Sequence, residues 1–298
     1  MKLYLSVMRL LAIALILIFV SACSTPEALT EHREFVAREV VNNPAVEEAY
    51  IEQGDFRLYY RSSGKAEDAV AVWVHGTPGG WGSIGRLLVN DEFNSRVLLA
   101  SIDRPGWGYS QYTDEPRLVT SYAEQANLIA PLLQKLKADH PDKPLILVGH
   151  SLGGSIIPAI AADFPELVDG LLILSAGLNP DITGPRWYNH MAKFSLINAA
   201  LDERMQAANV EMFSLAIELE KLRERWAEFE MPILVVQGTE DELVYPANAD
   251  FAESVLNSNN SRVVRLPNQG HFVHMERTDL IATCVLAIAT EQLDHCAE

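Results

Sequence analysis

Three short stretches of the chain carry side chains that can act together on a carbonyl group. The first is Gly149-His150-Ser151-Leu152-Gly153-Gly154. A serine hydroxyl is a weak nucleophile until a neighbouring base takes its proton. Small residues on both sides of Ser151 allow a sharp turn that exposes the hydroxyl, and apolar runs before and after it set that turn between a strand and a helix. The second stretch, Asn268-Gln269-Gly270-His271-Phe272, offers His271 as the base. The third, Gln237-Gly238-Thr239-Glu240-Asp241, offers a carboxylate to orient the imidazole and steady its charged form. Glu240 and Glu242 flank Asp241 with the same chemistry, and register favours Asp241, three residues past Gly238.

Attack on a carbonyl leaves a negative oxygen that needs hydrogen-bond donors. Leu152, directly after the nucleophile and at a helix start, has a backbone N–H to give. A second donor is expected from His75-Gly76-Thr77-Pro78-Gly79-Gly80, where Thr77 follows His-Gly and, unlike Pro78, keeps its N–H. A phosphate loop fits this segment poorly, because no lysine follows the glycines. His271 and His274 have a spacing seen in metal sites, but no second pair of ligands accompanies them, so no metal is expected. The chemistry calls for no cofactor. His75 reads as a loop hydrogen-bonding residue and His150 as structural or pocket-lining.

These residues must be positioned by their elements. Val46–Ile51 and Phe56–Arg61 read as a hairpin around Gln53-Gly54-Asp55. Continuous apolar runs follow at Ala69–Val74, Val97–Ile102, Leu145–Val148, Leu171–Leu174, Ile233–Val236 and Arg262–Leu266. Runs of this kind predict strands buried on both faces of a mostly parallel sheet. Helical periodicity fits Ser83–Asp91, Ser121–Ala138, Leu152–Asp163, Ala247–Leu256 and Thr278–Leu293, the last with Thr278 as its N-cap. Each of the three chemical stretches therefore falls at the C-terminal end of a strand, where parallel sheets bind ligands. Between Ser175 and Met231 the alternation stops and only helical periodicity remains, which marks a lid.

Taken together, these motifs resemble the α/β-hydrolase superfamily over about Val46 to Leu293. Asp103-Arg104-Pro105-Gly106-Trp107-Gly108-Tyr109-Ser110 is similar to its turn after the fourth strand, and Gly270-His271-Phe272-Val273-His274-Met275-Glu276 to its histidine loop. The order Ser, Asp, His is also that of this fold. The resemblance implies an α/β fold with about eight mostly parallel strands flanked by helices, and a small helical cap, about 177–230, inserted after the sixth strand. It implies Ser151, Asp241 and His271 as catalytic residues and Thr77 and Leu152 as oxyanion donors. A serine at 151 argues against the dehalogenase and epoxide hydrolase branches, which use aspartate there. Asp103 is expected to hold its turn in shape. The expected activity is hydrolysis of a small-molecule carboxylic ester. His-Gly-Thr-Pro-Gly-Gly-Trp-Gly-Ser also resembles the proline-releasing aminopeptidases, which bind a free amine with cap carboxylates. Glu211, Glu218 and Glu220 are candidates, although on an acidic helix they read as solvated. A third alternative is a non-catalytic, lipid-anchored binding protein on the same fold.

The remaining signals concern address. Lys2 and Arg9 precede an apolar run, Leu10 to Val20, that ends in Val20-Ser21-Ala22-Cys23. A charged start, a short apolar stretch and small residues describe a secretory signal over 1–22. The run is well short of the ~20 residues that span a bilayer. Its end resembles the lipobox of bacterial lipoproteins, which implies acylation at Cys23; the polar stretch that follows reads as a tether over 23–44 with an amphipathic helix, ahead of a hydrolase domain over 45–298. The expected location is the bacterial cell envelope, on the periplasmic face of the outer membrane in a Gram-negative species. A net charge of −17 argues against nucleic-acid partners and against anionic lipid binding by charge. Cys284 and Cys296 would lie ~18 Å apart on one helix, so pairing requires that helix to stop near Glu291. The sequence weighs against that disulfide without closing the question.

Overall fold

The computed structural model describes residues 27–297, so the expected signal segment and Cys23 lie outside the described residues. Nine strands form one sheet. They are β1 (Glu47–Gln53), β2 (Phe56–Ser63), β3 (Ala69–Val74), β4 (Val97–Ile102), β5 (Gln111–Tyr112), β6 (Leu145–His150), β7 (Gly170–Leu174), β8 (Ile233–Gly238) and β9 (Ser261–Leu266). Their spatial order is β1-β2-β4-β3-β6-β7-β8-β9, with the two-residue β5 paired to the start of β2. The pairs from β4 across to β9 are parallel, and β1–β2 and β2–β4 are antiparallel. The eight expected strands are all present, and β5 was too short to carry a pattern.

Burial explains why the apolar runs become these strands. Every residue of β3, β6, β7 and β8 is buried, as a sheet covered on both faces demands. Alternate residues feed two cores. Val70, Val72, Leu147, Ile173 and Val235 face α2 (Tyr122–Asp139), α3 (Leu152–Asp163) and the cap helix α4 (Glu203–Leu222). Ala71, Trp73, Val148, Leu174 and Val236 face α6 (Thr278–Ala289), whose Ile281, Val285 and Ile288 are buried there. The edge strands β1 and β9 alternate exposed and covered positions, which suits a rim against water. In α2, Pro131 cannot donate to the Asn127 carbonyl, and Gln53 Nε2 donates to it instead at 3.4 Å.

Three local expectations are corrected. The stretch read as one helix over Ser83–Asp91 breaks into a 3-10 turn, Trp81–Ile84, and two short turns, Gly85–Leu88 and Asp91–Asn94. The Asn90 side chain accepts from Phe93 N at 2.9 Å and so starts a new turn where the pattern continued. Thr278 is the first helical residue of α6, not its cap; its hydroxyl faces the carbonyls of His274 and Met275. Finally, α6 stops at Ala289, Glu291 adopts φ 55°, and Leu293–Ala297 folds back as a 3-10 turn. That reversal joins Cys284 to Cys296 in a disulfide with the Cα atoms 4.3 Å apart.

The helix expected in the polar N-terminal segment is α1 (Glu27–Phe35), continued by a π-helical turn, Val36–Val40. It is seated on the domain. Val40 is fully buried, Val36 packs against Gly82 and Gly85, and the buried His32 ring bonds the Gly82 carbonyl at 2.9 Å. The α5 helix (Ala247–Val255) completes the long elements.

Candidate active site

Ser151 sits between β6 and α3 at φ 54° and ψ −124°, a conformation that L-residues rarely adopt. Its N–H is held by the Leu174 carbonyl at 2.9 Å. The turn is possible only because its neighbours lack Cβ atoms. A Cβ on Gly153 would lie 2.0 Å from the Val74 carbonyl oxygen, and one on Gly149 2.6 Å from that of Gly153. A Cβ on Gly76 would meet the Ser151 Cβ at 2.8 Å, so the Thr77 loop passes close beside the serine.

Asp241 follows β8 and His271 follows β9, on the same edge of the sheet as Ser151. His271 Nδ1 and Asp241 Oδ2 are 2.9 Å apart. The Leu243 and Val244 N–H groups donate to Asp241 Oδ1 at 2.9 and 2.8 Å, and Gln237 Nε2 donates to Oδ2 at 3.2 Å. Burial alone pushes the Asp241 carboxyl up, but His271 and the two backbone N–H groups outweigh it and hold the group below the usual carboxylate range. The ionised carboxylate thus faces Nδ1, which directs Nε2 of the ring away from it. Glu240 and Glu242, the open alternatives, are exposed. Among the described residues no hydrogen bond joins the Ser151 hydroxyl to His271.

His150 packs against this ring with centroids 4.6 Å apart, and its Nε2 bonds the His271 carbonyl at 2.8 Å. Burial, with the neighbouring His271 ring, lowers His150 to about 3, so it is neutral at ordinary pH and fixes the histidine loop as a dipole. Leu152 N–H, as the first of α3, has no intrahelical acceptor, and Thr77 N–H is not taken by a backbone carbonyl. Among the described residues no side chain accepts from either N–H. Asp103 takes Trp81 N–H at 2.8 Å and Tyr109 N–H at 3.0 Å, tying the Thr77 loop to the turn after β4 as expected.

Residues 71–283 match the model of the alpha/beta hydrolase family. The chain belongs to that family. Over 89 residues the chain is 37% identical to an uncharacterised protein of Mycobacterium tuberculosis, a match over 30% of this chain and 24% of that protein. It is 30% identical over 133 residues to a pyrrolizixenacetamide deacetylase of Xenorhabdus hominickii, covering 43% of this chain and 45% of the relative. The chain thus spans less than half the length of these curated relatives. In fold it is similar to a membrane phospholipase A, with a TM-score of 0.60 and 20% identity over 98% of this chain and 99% of that one.

One group of residues escaped the sequence reading. Arg104, fully buried, donates to both carboxylate oxygens of the buried Glu211 on cap helix α4, at 2.8 and 3.0 Å. It also donates to the His75 carbonyl at 2.8 Å and the Gly76 carbonyl at 3.3 Å. Trp107 Nε1 donates to Glu211 Oε1 at 3.1 Å. Arg104 N–H donates to His75 Nε2 at 2.9 Å, leaving Nδ1 to donate to the Gly76 carbonyl at 2.7 Å. The cap is therefore bonded, through one guanidinium, to the backbone directly before Thr77. Glu218, also buried, accepts from Tyr122 N at the start of α2, and Glu220 alone of the three is exposed, paired with Arg223. The reading of Glu211 and Glu218 as solvated is corrected: an acidic helix buries a carboxylate when a cation meets it. Arg104 lies inside the motif that begins at Asp103, and an arginine amid Asp, Pro and Gly near a strand end was the available signal.

Proposed function

We propose that this hydrolase cleaves carboxylic esters, with Ser151 as nucleophile, His271 as general base, Asp241 as its orienting acid, and Thr77 and Leu152 N–H groups as oxyanion donors. The observation that carries the reading is the 2.9 Å contact of His271 Nδ1 with the buried Asp241, beside a serine held at positive φ at the mouth of a helix. His271 Nε2 takes the Ser151 proton as Oγ bonds to the carbonyl carbon, and the carbonyl oxygen becomes negative between the two N–H donors. Collapse breaks the ester C–O bond, and the leaving alcohol takes the proton from His271. Water then adds to the acyl-enzyme by the same route, and the acid departs. The serine–histidine bond that is missing in the free protein is one that commonly tightens when substrate binds.

The proline-releasing aminopeptidase reading needs a free carboxylate for a substrate amine. Glu211 is saturated by Arg104 and Trp107, and Glu218 by Tyr122 N–H and Lys221, which favours the ester reading. Membrane attachment through an acylated Cys23, at the periplasmic face of the outer membrane in a Gram-negative cell, is part of the proposal and rests on Val20-Ser21-Ala22-Cys23. Fluorophosphonate labelling, followed by assays on ester and proline-amide chromogens, tests the enzymatic part. Wild-type protein is expected to label and turn over the ester, and Ser151→Ala to do neither. A folded wild-type protein that neither labels nor turns over substrate would put the binding-protein alternative first.

A further inference from the structure

The cap carries a surface that its role as a lid does not explain. Trp187, Phe194 and Leu196 are 76%, 62% and 87% exposed, with Tyr188 and Met191 beside them in sequence. They stand on two short turns, Trp187–Met191 and Ser195–Asn198, with Phe194 directly before the second. Large apolar groups concentrated in a dozen residues are not the scattered exposure that any soluble surface shows.

The ends of this segment are fixed to the site. Arg186 donates to the carbonyls of Glu242 and Leu243, both at 2.8 Å, and lies over the Tyr245 ring at 4.5 Å, all on the loop after Asp241. Arg204, at the start of α4, donates to the Gly79 carbonyl at 3.1 Å, on the loop after Thr77. The stretch between these arginines thus runs from the loop after Asp241 to the loop after Thr77. Leu243, itself 53% exposed, and Tyr245 extend the apolar surface onto the acid loop.

Charge distinguishes what covers it. The chain has 40 acidic residues in 298, yet none from Ile182 to Leu201, where the ionisable side chains are Arg186, Tyr188, His190 and Lys193. A segment without carboxylates, with aromatic and aliphatic tips and a few cations and with Glu242 exposed only at its margin beside Leu243, matches the interface of a phospholipid bilayer, where apolar groups enter the acyl boundary and cations meet phosphates. The described chain also begins on this side of the molecule: α1 packs along Val273–Glu276, directly after His271, and bonds Gly82, shortly after the oxyanion loop. Cys23 stands four residues before Glu27, so a lipid on it is tethered within ~14 Å of the start of α1.

We infer that the segment 182–201, with Leu243 and Tyr245, docks on a phospholipid bilayer and that the enzyme draws its ester substrate from that bilayer. The substrate half rests on the ester-hydrolase reading; the docking half does not. Trp187 supplies a reporter, because Trp73, Trp107 and Trp226 are buried, Trp81 is half-buried, and residues 1–26 contain no tryptophan. Full-chain protein is reconstituted in phosphatidylcholine vesicles with and without bromine on the acyl chains. Bromination is expected to quench a fraction of the emission, and Trp187→Phe to remove most of that loss. Equal quenching in both proteins, or none, overturns the docking. A cap covered instead by a second copy would give a concentration-dependent dimer and no quenching, which overturns it equally. For the substrate, Phe194→Glu/Leu196→Glu is expected to slow hydrolysis of a vesicle-borne long-chain ester at least tenfold and leave a soluble short-chain ester unchanged. Equal rates on vesicles, or an equal fall on both substrates, overturns it. Wild-type protein inactive on the soluble ester would mark failure of the ester-hydrolase reading, and quenching would still decide the docking.

Discussion

Asp241 shows how one side chain divides its two oxygens between fixed partners. Oδ1 is consumed by the Leu243 and Val244 N–H groups, so Oδ2 is left to face His271. An amide at this position keeps the shape but offers Nδ1 an N–H as readily as an oxygen, which favours the wrong tautomer. Asp241→Asn is therefore expected to lower kcat on a soluble ester by ~10³–10⁴-fold with the fold intact. Turnover beside an unchanged circular dichroism spectrum measures this, and a loss under tenfold would remove Asp241 from its role. These candidate residues were legible in the sequence because each stands in a short, rigid motif at a strand end, where backbone geometry restricts the residue types. Arg104 and Glu211 were not: 107 positions separate them, and nothing local in either stretch names the other.

Among the elements, the strands were the easiest to read. β3 falls on the expected residues because burial on both faces forces an unbroken apolar run, and β4 does so although Ser101 interrupts its run. The helix read over Ser83–Asp91 failed where the Asn90 side chain captured a backbone N–H, and α6 was read too long because apolar periodicity does not record a residue such as Glu291 at positive φ. The cap was legible only as a helical insertion. Its attachment depends on the Arg104–Glu211 pair, whose charges are both out of water. Removing one partner strands the other, so Glu211→Leu is expected to cost ~3–5 kcal/mol in urea unfolding. Arg104→Leu/Glu211→Leu removes both charges and is expected to recover part of that loss. A double variant as unstable as the sum of the two single changes would mean that the hydrogen bonds to His75 and Gly76, and not the stranded charge, set the cost.

On the scale of the molecule, buried imidazoles are expected to make the fold sensitive to acid. Burial, together with the charge of Arg104, holds His75 well below its ordinary value. Burial, with the nearby His150 and His271 rings, does the same to His274, and His150 is lowered to about 3. His32, under α1, is also lowered by its burial. For each group the folded value lies below that of the unfolded chain, so below about pH 6.5 the unfolded state binds protons that the folded state refuses. Their contribution is fully present above that pH and is lost as pH falls towards the folded values. The Asp103 carboxyl, raised by burial, acts in the opposite sense as one group against four. Each imidazole adds a slope of ~1.4 kcal/mol per pH unit, so three together give about 4 kcal/mol per unit once they titrate fully in the unfolded chain. Urea midpoints measured at pH 7.5, 6 and 5 are expected to drop little over the first interval and steeply over the second. A midpoint level down to pH 5 would mean that these rings accept protons in place, and the neutral His150 that steadies the His271 loop would have to be abandoned.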